Sequence, residues 1–288
     1  MITRPSWTRL SQGVIFSEAI AEDYRTAEVF GITITARCDF AQTKAIKYNY
    51  LPIVNFDRWI RHEGKFQLIY RAERDLKNTI SAILKKHDLD PSILGFQTLE
   101  AVLEKHFSDT KGKKASDKEK LRNLGHKLSF LAQCENSTGE DKFRKLLTNH
   151  DPIAKKITKE LVSNQLSGYY FLPAVSPAEP SQQNLPEQGF VALLREIRNI
   201  PAVIADCLTQ GLTRAEYREL LEKNGAPEGG LKIGDEEIAI VVGQLKSPQL
   251  EHLMQCFTIL FGRIGLPDPP KGIESGLLRA TCADSRSE

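Results

Sequence analysis

The sequence predicts an α+β fold in which strands from two separated regions build one small sheet or barrel, split by a helical insertion. Segments rich in β-branched residues occupy residues 1–56 and return after Gly168. Between them, residues 57–166 repeat apolar side chains at spacings of three and four, the period of helices. Because unpaired strand edges are costly, we expect the two strand regions to pair with each other.

The first region contains three candidate strands, at residues 13–16, 29–36 and 48–54. In the second of these, Ile32 and Ile34 alternate with threonines, which is the period of a strand. Pro52 lies within the third, and since proline has no amide proton to donate, it indicates an edge strand or a strand end.

The insertion carries three apolar stripes at helical spacing, at residues 68–84, 99–107 and 121–131. Asp90-Pro91 and Asp151-Pro152 each combine an N-capping side chain with a proline suited to the first helical position. These patterns predict four or five helices.

The second strand region predicts strands at residues 169–172, 189–194 and 237–242. Thr213 and Glu216 have the spacing of a capping box that opens a short helix, and Gly225 follows its end. A final amphipathic helix is predicted from Ser247 to a stop at Gly265. The expected division is a first barrel part at 1–56, the helical insertion at 57–166, a second barrel part with the C-terminal helix at 167–266, and a flexible tail at 267–288.

Composition excludes several functional classes. The 288 residues hold 39 Lys+Arg and 37 Asp+Glu, a net charge of +2 that is too balanced for a dedicated polycationic nucleic-acid binder. No apolar run approaches the ~20 residues of a membrane helix, so we expect no membrane partner. Five scattered cysteines without a CxxC pair predict reduced thiols in a cytoplasmic protein. Zinc-binding and phosphate-loop motifs are absent, so we expect no metal and no cofactor.

In this order the strands resemble those of the MazF/PemK-like barrels, a family best known for endoribonuclease toxins. Residues 13–16, 31–35, 50–54 and 189–200 are similar to the family's first three strands and to a segment near its end. Residues 37–40 and 263–267 look like the CD(L/I/F) and R(V/I)GLP motifs of a bacterial branch that carries a helical insertion. The resemblance covers only the two ends of the chain. It implies an α+β fold with a small SH3-like (MazF/PemK-type) β-barrel, a large all-α insertion and a C-terminal amphipathic helix.

The resemblance also implies two catalytic groups, an arginine near the second strand and a Thr or Ser after the Pro-Ile of the third. Here Val54 follows Pro52-Ile53, so the hydroxyl group is missing. Arg25 precedes the second strand by several residues and is the candidate for the arginine. We therefore expect the barrel not to be a working ribonuclease.

Four further residues are candidates for a site. Arg37 and Asp39, just past the second strand, could form an acid/base or binding pair, although an aspartate there could equally cap a turn. Arg195 and Arg198 follow the strand at 189–194, in a segment that the resemblance places beside the RNA and antitoxin groove. They could bind a phosphate or a partner's carboxylate, or be solvated arginines paired with acids such as Glu196.

Residues 105–127 carry eight Lys/Arg against three acids, a net charge of +5 that includes Lys111, Lys113 and Lys114. Such a stretch attracts phosphate, and salt would screen the attraction. The same stretch is also typical of an exposed loop between helices. It offers RNA or DNA binding as an alternative function.

The leading hypothesis is a catalytically degenerate barrel that binds a protein partner encoded nearby. The resemblance places it in antiviral defence or a toxin–antitoxin-like system. The first alternative is a divergent, metal-independent endoribonuclease that uses Arg37, Asp39 and Arg195. The second is a nucleic-acid-binding regulator that uses the basic segment.

Overall fold

The centre of the fold is an antiparallel sheet curled into a half-barrel, in a mixed α+β architecture. The computed structural model describes residues 1–4, 10–42, 45–107, 112–135, 139–177, 189–225 and 230–262. Within these residues the strand order is β1-β10-β2-β3-β4-β6-β5, with β7 also paired to β4, while β8 and β9 form a separate pair. The strands are β1 (Ile2–Thr3), β2 (Val14–Phe16), β3 (Val29–Thr33), β4 (Lys47–Asn55), β5 (Tyr169–Leu172), β6 (Phe190–Leu193), β7 (Arg198–Pro201), β8 (Leu212–Thr213), β9 (Ile238–Ala239) and β10 (Val241–Leu245).

The helices fall mainly between β4 and β5. They are α1 (Arg37–Gln42), α2 (Phe56–Trp59), α3 (Lys65–Lys86), α4 (Leu99–His106), α5 (Lys113–Glu135), α6 (Glu140–Asn149), α7 (Asp151–Val162), α8 (Ala202–Ala205), α9 (Arg214–Asn224) and α10 (Gln249–Gly262). A π-helical turn, Ile60–Gly64, joins α2 to α3, and 3₁₀ turns cover Pro91–Gly95 and Asp206–Thr209. None of the described helices has both the length and the apolar character needed to cross a membrane.

β4 links the strands on either side of the helices. Its first half pairs with β7 (Tyr48 opposite Ile200), and its second half pairs with β6 (Ile53 opposite Ala192). The expectation that Pro52 marks an edge or a strand end is wrong, because β4 continues to Asn55 inside the sheet. Pro52 is tolerated there because it lies in the gap between the β7 and β6 pairings.

Both faces of the sheet are covered, which explains why β3 is buried throughout. Side chains of one face, such as Val29, pack with Trp59, Leu68 and the rest of the helical segment. Side chains of the other face pack with Leu250 and Leu253 of α10: Ile15, Phe30, Ile32, Leu51 and Ile53. The tip of the helical segment has its own small core of α3, α4 and α5 residues.

The structure can be compared with several predictions of helix caps, helix ends and strands. The capping box of Thr213 and Glu216 is confirmed at the start of α9, and Gly225 ends that helix in the left-handed conformation. Asp90 caps a 3₁₀ turn rather than an α-helix. Asp151 is the first residue of α7, so the N-cap position belongs to His150 and not to Asp151 as predicted. The predicted strand at 237–242 is split between β9 and β10, which pair with different partners. The predicted helix stop at Gly265, the motif at 263–267 and the tail at 267–288 lie outside the described residues.

Candidate functional site

The loop between β2 and β3 forms one wall of a cleft of about 360 Å³. The opposite wall is formed by Leu231 and Lys232, and a β-bridge joins Ala19 to Leu231. Small and aliphatic side chains line the interior: Ala19, Ile20, Ala21, Ala27, Val29 and Leu231. Tyr24, Arg25 and Lys232 add the polar groups. The cleft is thus an apolar depression with a few polar groups, the general form of a binding site.

Hydrogen bonds hold the two walls together. The backbone amide of Lys232 donates to the Glu18 carbonyl (2.8 Å), and its ammonium group donates to the Arg25 carbonyl. On the other side, the Tyr50 hydroxyl donates to the Gly230 carbonyl (2.9 Å) and accepts from the Ile20 amide (3.2 Å). Burial raises the pKa of Tyr50 to about 12, so the phenol stays protonated for this bond. The cleft is therefore a fixed part of the fold.

The catalytic pair implied by the resemblance is not assembled here. Arg25 is exposed at the cleft, where its carbonyl is used by Lys232. Val54 is fully buried in β4, opposite Val29, and carries no hydroxyl group. Among the described lining residues the hydroxyl of the cleft belongs to Tyr24, and it donates to Glu63. The cleft thus contains Arg25 but, among its described lining residues, no Thr or Ser hydroxyl of the kind that the resemblance implies.

A carboxylate beneath the cleft connects three parts of the chain. Glu63, in the π-helical turn, accepts hydrogen bonds from the Tyr24 hydroxyl (2.9 Å) and the Tyr169 hydroxyl (2.7 Å). Burial, followed by the charge of Glu63, raises the pKa of both phenols. Such π-turns are frequent at functional sites. No local sequence pattern marks Glu63, because its partners lie 39 and 106 residues away in the chain.

The two arginines that follow β6, Arg195 and Arg198, have different surroundings. Arg198 contacts Glu196 (2.7 Å) and Glu22 (3.2 Å), and Glu196 also accepts from the Glu22 amide (2.8 Å). Arg198 therefore ties the cleft loop to the β6–β7 connection. The Arg195 side chain lies across Gly168, which has no side chain to obstruct it, and its charge opposes the rise in the Tyr169 pKa.

The loop beside the cleft is acidic, whereas the charged side chains among the described lining residues, Arg25 and Lys232, are basic. Residues 18–28 contain Glu18, Glu22, Asp23 and Glu28 against Arg25 alone, a formal net charge of −3. Nucleic-acid backbones are bound by excess positive charge. The negative charge of this loop is therefore unfavourable for binding a nucleic-acid backbone.

Glu18 is the most strongly perturbed acid of the loop. Burial, together with a hydrogen bond and repulsion from Glu237 and repulsion from Glu28, raises its pKa to about 7. Lys232 partly opposes this rise. The proton that Glu18 retains near neutral pH removes its repulsion from Glu237 and Glu28.

We expect Glu18→Gln to stabilise the protein above pH 7. The raised pKa means that Glu18 stabilises the fold fully below its ordinary pKa of 4.5, and that this contribution is lost as pH rises through 7. The neutral glutamine avoids the loss, and after solvent screening the gain at pH 8 should be about 1 kcal/mol. Urea unfolding at pH 4 and pH 8 measures it. Exposed Glu100→Gln is the control, and an equal gain at both pH values would contradict the prediction.

Four tyrosines predict a second pH effect, of which Tyr24, Tyr50 and Tyr170 are buried and Tyr169 is half-buried. Burial raises the pKa of Tyr50 and Tyr170 to about 12 and that of Tyr24 and Tyr169 further. Their contribution to stability is complete below pH 10, the ordinary pKa of tyrosine, and is lost as pH rises above it. We expect the urea midpoint to fall steeply between pH 10 and 12. Ultraviolet absorbance should show phenolate forming together with unfolding, and phenolate that forms while the protein is folded would refute this.

Arg37 and Asp39 lie in α1, at another connection of the sheet. Arg37 pairs with Glu251 of α10 at 3.3 Å, and both side chains are more than half exposed. Asp39 accepts a long hydrogen bond from the Cys38 thiol (3.6 Å). The ribonuclease alternative combines Arg37, Asp39 and Arg195. In the structure each has a different neighbour: Arg37 pairs with Glu251, Asp39 accepts from Cys38, and the Arg195 side chain lies across Gly168.

The described part of the basic segment, residues 105–127, runs from the end of α4 into α5. Lys113 and Lys114 are exposed, and Lys114 lies 5.5 Å from the centre of the Phe107 ring. Lys111 lies outside the described residues. Of the acids nearby, buried Asp117 accepts hydrogen bonds from Lys86 and His87, and Glu119 pairs with Arg122.

No group of three or more His, Cys, Asp or Glu residues in the described part of the chain is arranged to hold a metal ion. No protein-family model matches this chain, and neither the curated proteins nor the solved structures contain a significant match to it.

Proposed function

We propose that the chain is a catalytically degenerate MazF/PemK-like barrel that binds a protein partner in a bacterial, cytoplasmic defence or toxin–antitoxin-like system. The curled antiparallel sheet with its covering α10 supports the SH3-like part of this proposal. The strand motifs quoted above support the family. In this proposal the helical segment is the insertion of that bacterial branch.

The cleft with its adjoining acidic loop is the observation that carries the proposed function. It is apolar inside and held by hydrogen bonds, and the adjoining loop has a formal net charge of −3. By the resemblance, Val54 takes the position of the family's catalytic hydroxyl, and its side chain is buried. These features support recognition of a basic or apolar segment of a partner protein rather than RNA cleavage.

Reversing the charge of the loop should weaken partner binding. Asp23 and Glu28 are exposed, so Asp23→Lys combined with Glu28→Lys should leave the fold intact and repel a basic partner. We expect a partner that co-purifies from the native host with the unaltered protein to bind this variant at least about tenfold more weakly. Exposed Glu100→Lys with Glu104→Lys, on α4, provides the matched control. Quantitative pull-down and titration calorimetry measure the difference.

Assays on nucleic acid test the alternatives. Metal-independent degradation of mixed RNA by the purified protein, lost on Arg25→Ala or Asp39→Ala, would overturn the proposal in favour of the ribonuclease. Salt-sensitive binding of RNA or DNA, lost when Lys111, Lys113 and Lys114 are neutralised, would favour the regulator. We expect neither activity.

A further inference from the structure

A hydrogen-bonded chain of side chains connects β5 to α10. Cys256 and His252 are four residues apart on α10, which places them on the same face of the helix. The Cys256 Sγ lies 3.7 Å from the His252 Nε2, and the His252 Nδ1 lies 3.3 Å from the Tyr170 hydroxyl. The same hydroxyl donates to the Gln249 carbonyl at 3.2 Å.

The Gln249 carbonyl, at the end of this series of hydrogen bonds, determines which group donates and which accepts in each of them. A carbonyl oxygen can only accept, so the Tyr170 proton points to Gln249. The Tyr170 oxygen then accepts from the Nδ1–H of His252, which leaves the lone pair of His252 on Nε2, facing the thiol. Burial raises the pKa of Tyr170 to about 12, so the hydroxyl keeps its proton. A nucleophile, a base and a group that orients the base are therefore in sequence.

Among the cysteines that the structure describes, Cys256 differs from the others in its histidine neighbour. The Cys38 thiol is exposed beside a carboxylate, and the Cys207 thiol donates to the Val203 carbonyl at 3.3 Å. Cys134 is buried in the core between the sheet and the helices. Among these four, an imidazole nitrogen lies against Cys256 alone.

Cys256 also lines a small crevice. It measures about 180 Å³ and lies between α10 and the turn that precedes β5. Its apolar side chains are Leu166, Leu194, Ile259 and Leu260. Since drug-sized ligands occupy ~300 Å³ or more, this crevice suits only a short apolar group.

We propose that Cys256 is an acylation site, at which His252 acts as general base and the crevice receives the short apolar chain of an acyl thioester. Sulfur attacks the thioester carbonyl carbon while the thiol proton passes to the His252 Nε2. The bond from that carbon to the leaving sulfur then breaks, and His252 returns the proton to the leaving thiolate. The products are S-acyl Cys256 and a free thiol, so the step needs no oxidant or reductant.

The resting protonation state agrees with this order of events. Burial raises the pKa of the Cys256 thiol, so the sulfur is protonated until the base removes the proton during attack. His252 is exposed, which lets it exchange protons with water. Tyr170 acts as a positioning residue, because it contacts His252 and lies on the far side of it from Cys256.

The test is incubation of the full chain with butyryl- and hexanoyl-coenzyme A, followed by peptide mapping by mass spectrometry. We expect an acyl group on Cys256 that hydroxylamine removes and that Cys256→Ser abolishes. His252→Ala should slow the reaction about 100-fold, the usual contribution of a general base, and added imidazole should restore part of the rate. Cys38→Ser should leave it unchanged.

Three results would overturn the proposal: no acyl group on Cys256, acylation that favours Cys38, or a His252→Ala protein that reacts as fast as the unaltered one. Because His252 is exposed, its replacement should preserve the fold, and circular dichroism checks this. Restoration by imidazole separates a lost base from a structural defect, since imidazole cannot repair a misfolded helix.

Discussion

Gly243→Ala should lower the free energy of unfolding by about 3 kcal/mol, the upper part of the range for overpacking. A Cβ atom at this position of β10 would lie 2.2 Å from the Val175 carbonyl oxygen and 2.9 Å from the Ile2 Cγ2. The first contact is with backbone, which cannot rotate away as a flexible side chain would. β10 also connects β1 to β2, so its displacement would disturb the edge of the sheet. Urea unfolding followed by circular dichroism measures the loss.

Gly95→Ala is the matched control for this change. No atom lies within 4 Å of a Cβ added at Gly95, so we expect its effect to stay within about 0.5 kcal/mol. Equal stabilities for the two alanine variants would show that β10 can move away from Val175, and would contradict the close packing described here.

Removing the Glu63 carboxylate should cost about 3 kcal/mol, the lower end of the sum for two hydrogen bonds to a charged group. Glu63→Ala leaves the hydroxyls of Tyr24 and Tyr169 without their shared acceptor, and hydrogen bonds to charged groups contribute ~1.5–3 kcal/mol each. The cleft loop also loses an anchor at Tyr24, so partner binding should weaken together with stability. Thermal unfolding and the pull-down described above measure the two effects.

Three variants isolate the Glu63 interaction. Glu63→Gln keeps an acceptor oxygen and should cost less than Glu63→Ala. Tyr24→Phe with Tyr169→Phe in the Glu63→Ala background removes the unpaired hydroxyls and should recover part of the loss. Glu73→Ala, which breaks an exposed ion pair with Lys77 on α3, should change stability by less than about 0.5 kcal/mol. A Glu63→Ala protein as stable as Glu73→Ala would refute the role given to the bridge.

Local chemistry made much of the secondary structure predictable. The period of two around Ile32 and the capping box of Thr213 depend on residues close together in sequence, and both regions have the expected structure. Gly225 ends α9 for the same reason. Where the prediction for Pro52 failed, the missing information was the pairing of β4, since β6 and β7 begin more than 130 residues later.

The candidate sites likewise combine features that the sequence indicates with features that depend on contacts between distant residues. The resemblance to the MazF/PemK-like barrels made Arg25 a candidate and marked the absence of a hydroxyl at Val54. The cleft around Arg25, the bridge at Glu63 and the chain from Cys256 to Tyr170 all join residues from distant parts of the sequence. Apart from the four-residue spacing of His252 and Cys256 on α10, no local pattern marks these contacts, because they form only when the chain folds.

The sequence by itself determined the α+β character, the alternation of strands and helices, and several helix boundaries, because periodicity and capping act over a few residues. Only the tertiary structure decided which strands are neighbours, which acids surround Arg25, and that Glu63 and His252 have partners in other strands and loops. The physical reason is that burial and hydrogen-bond partners depend on the folded arrangement, whereas backbone propensity does not.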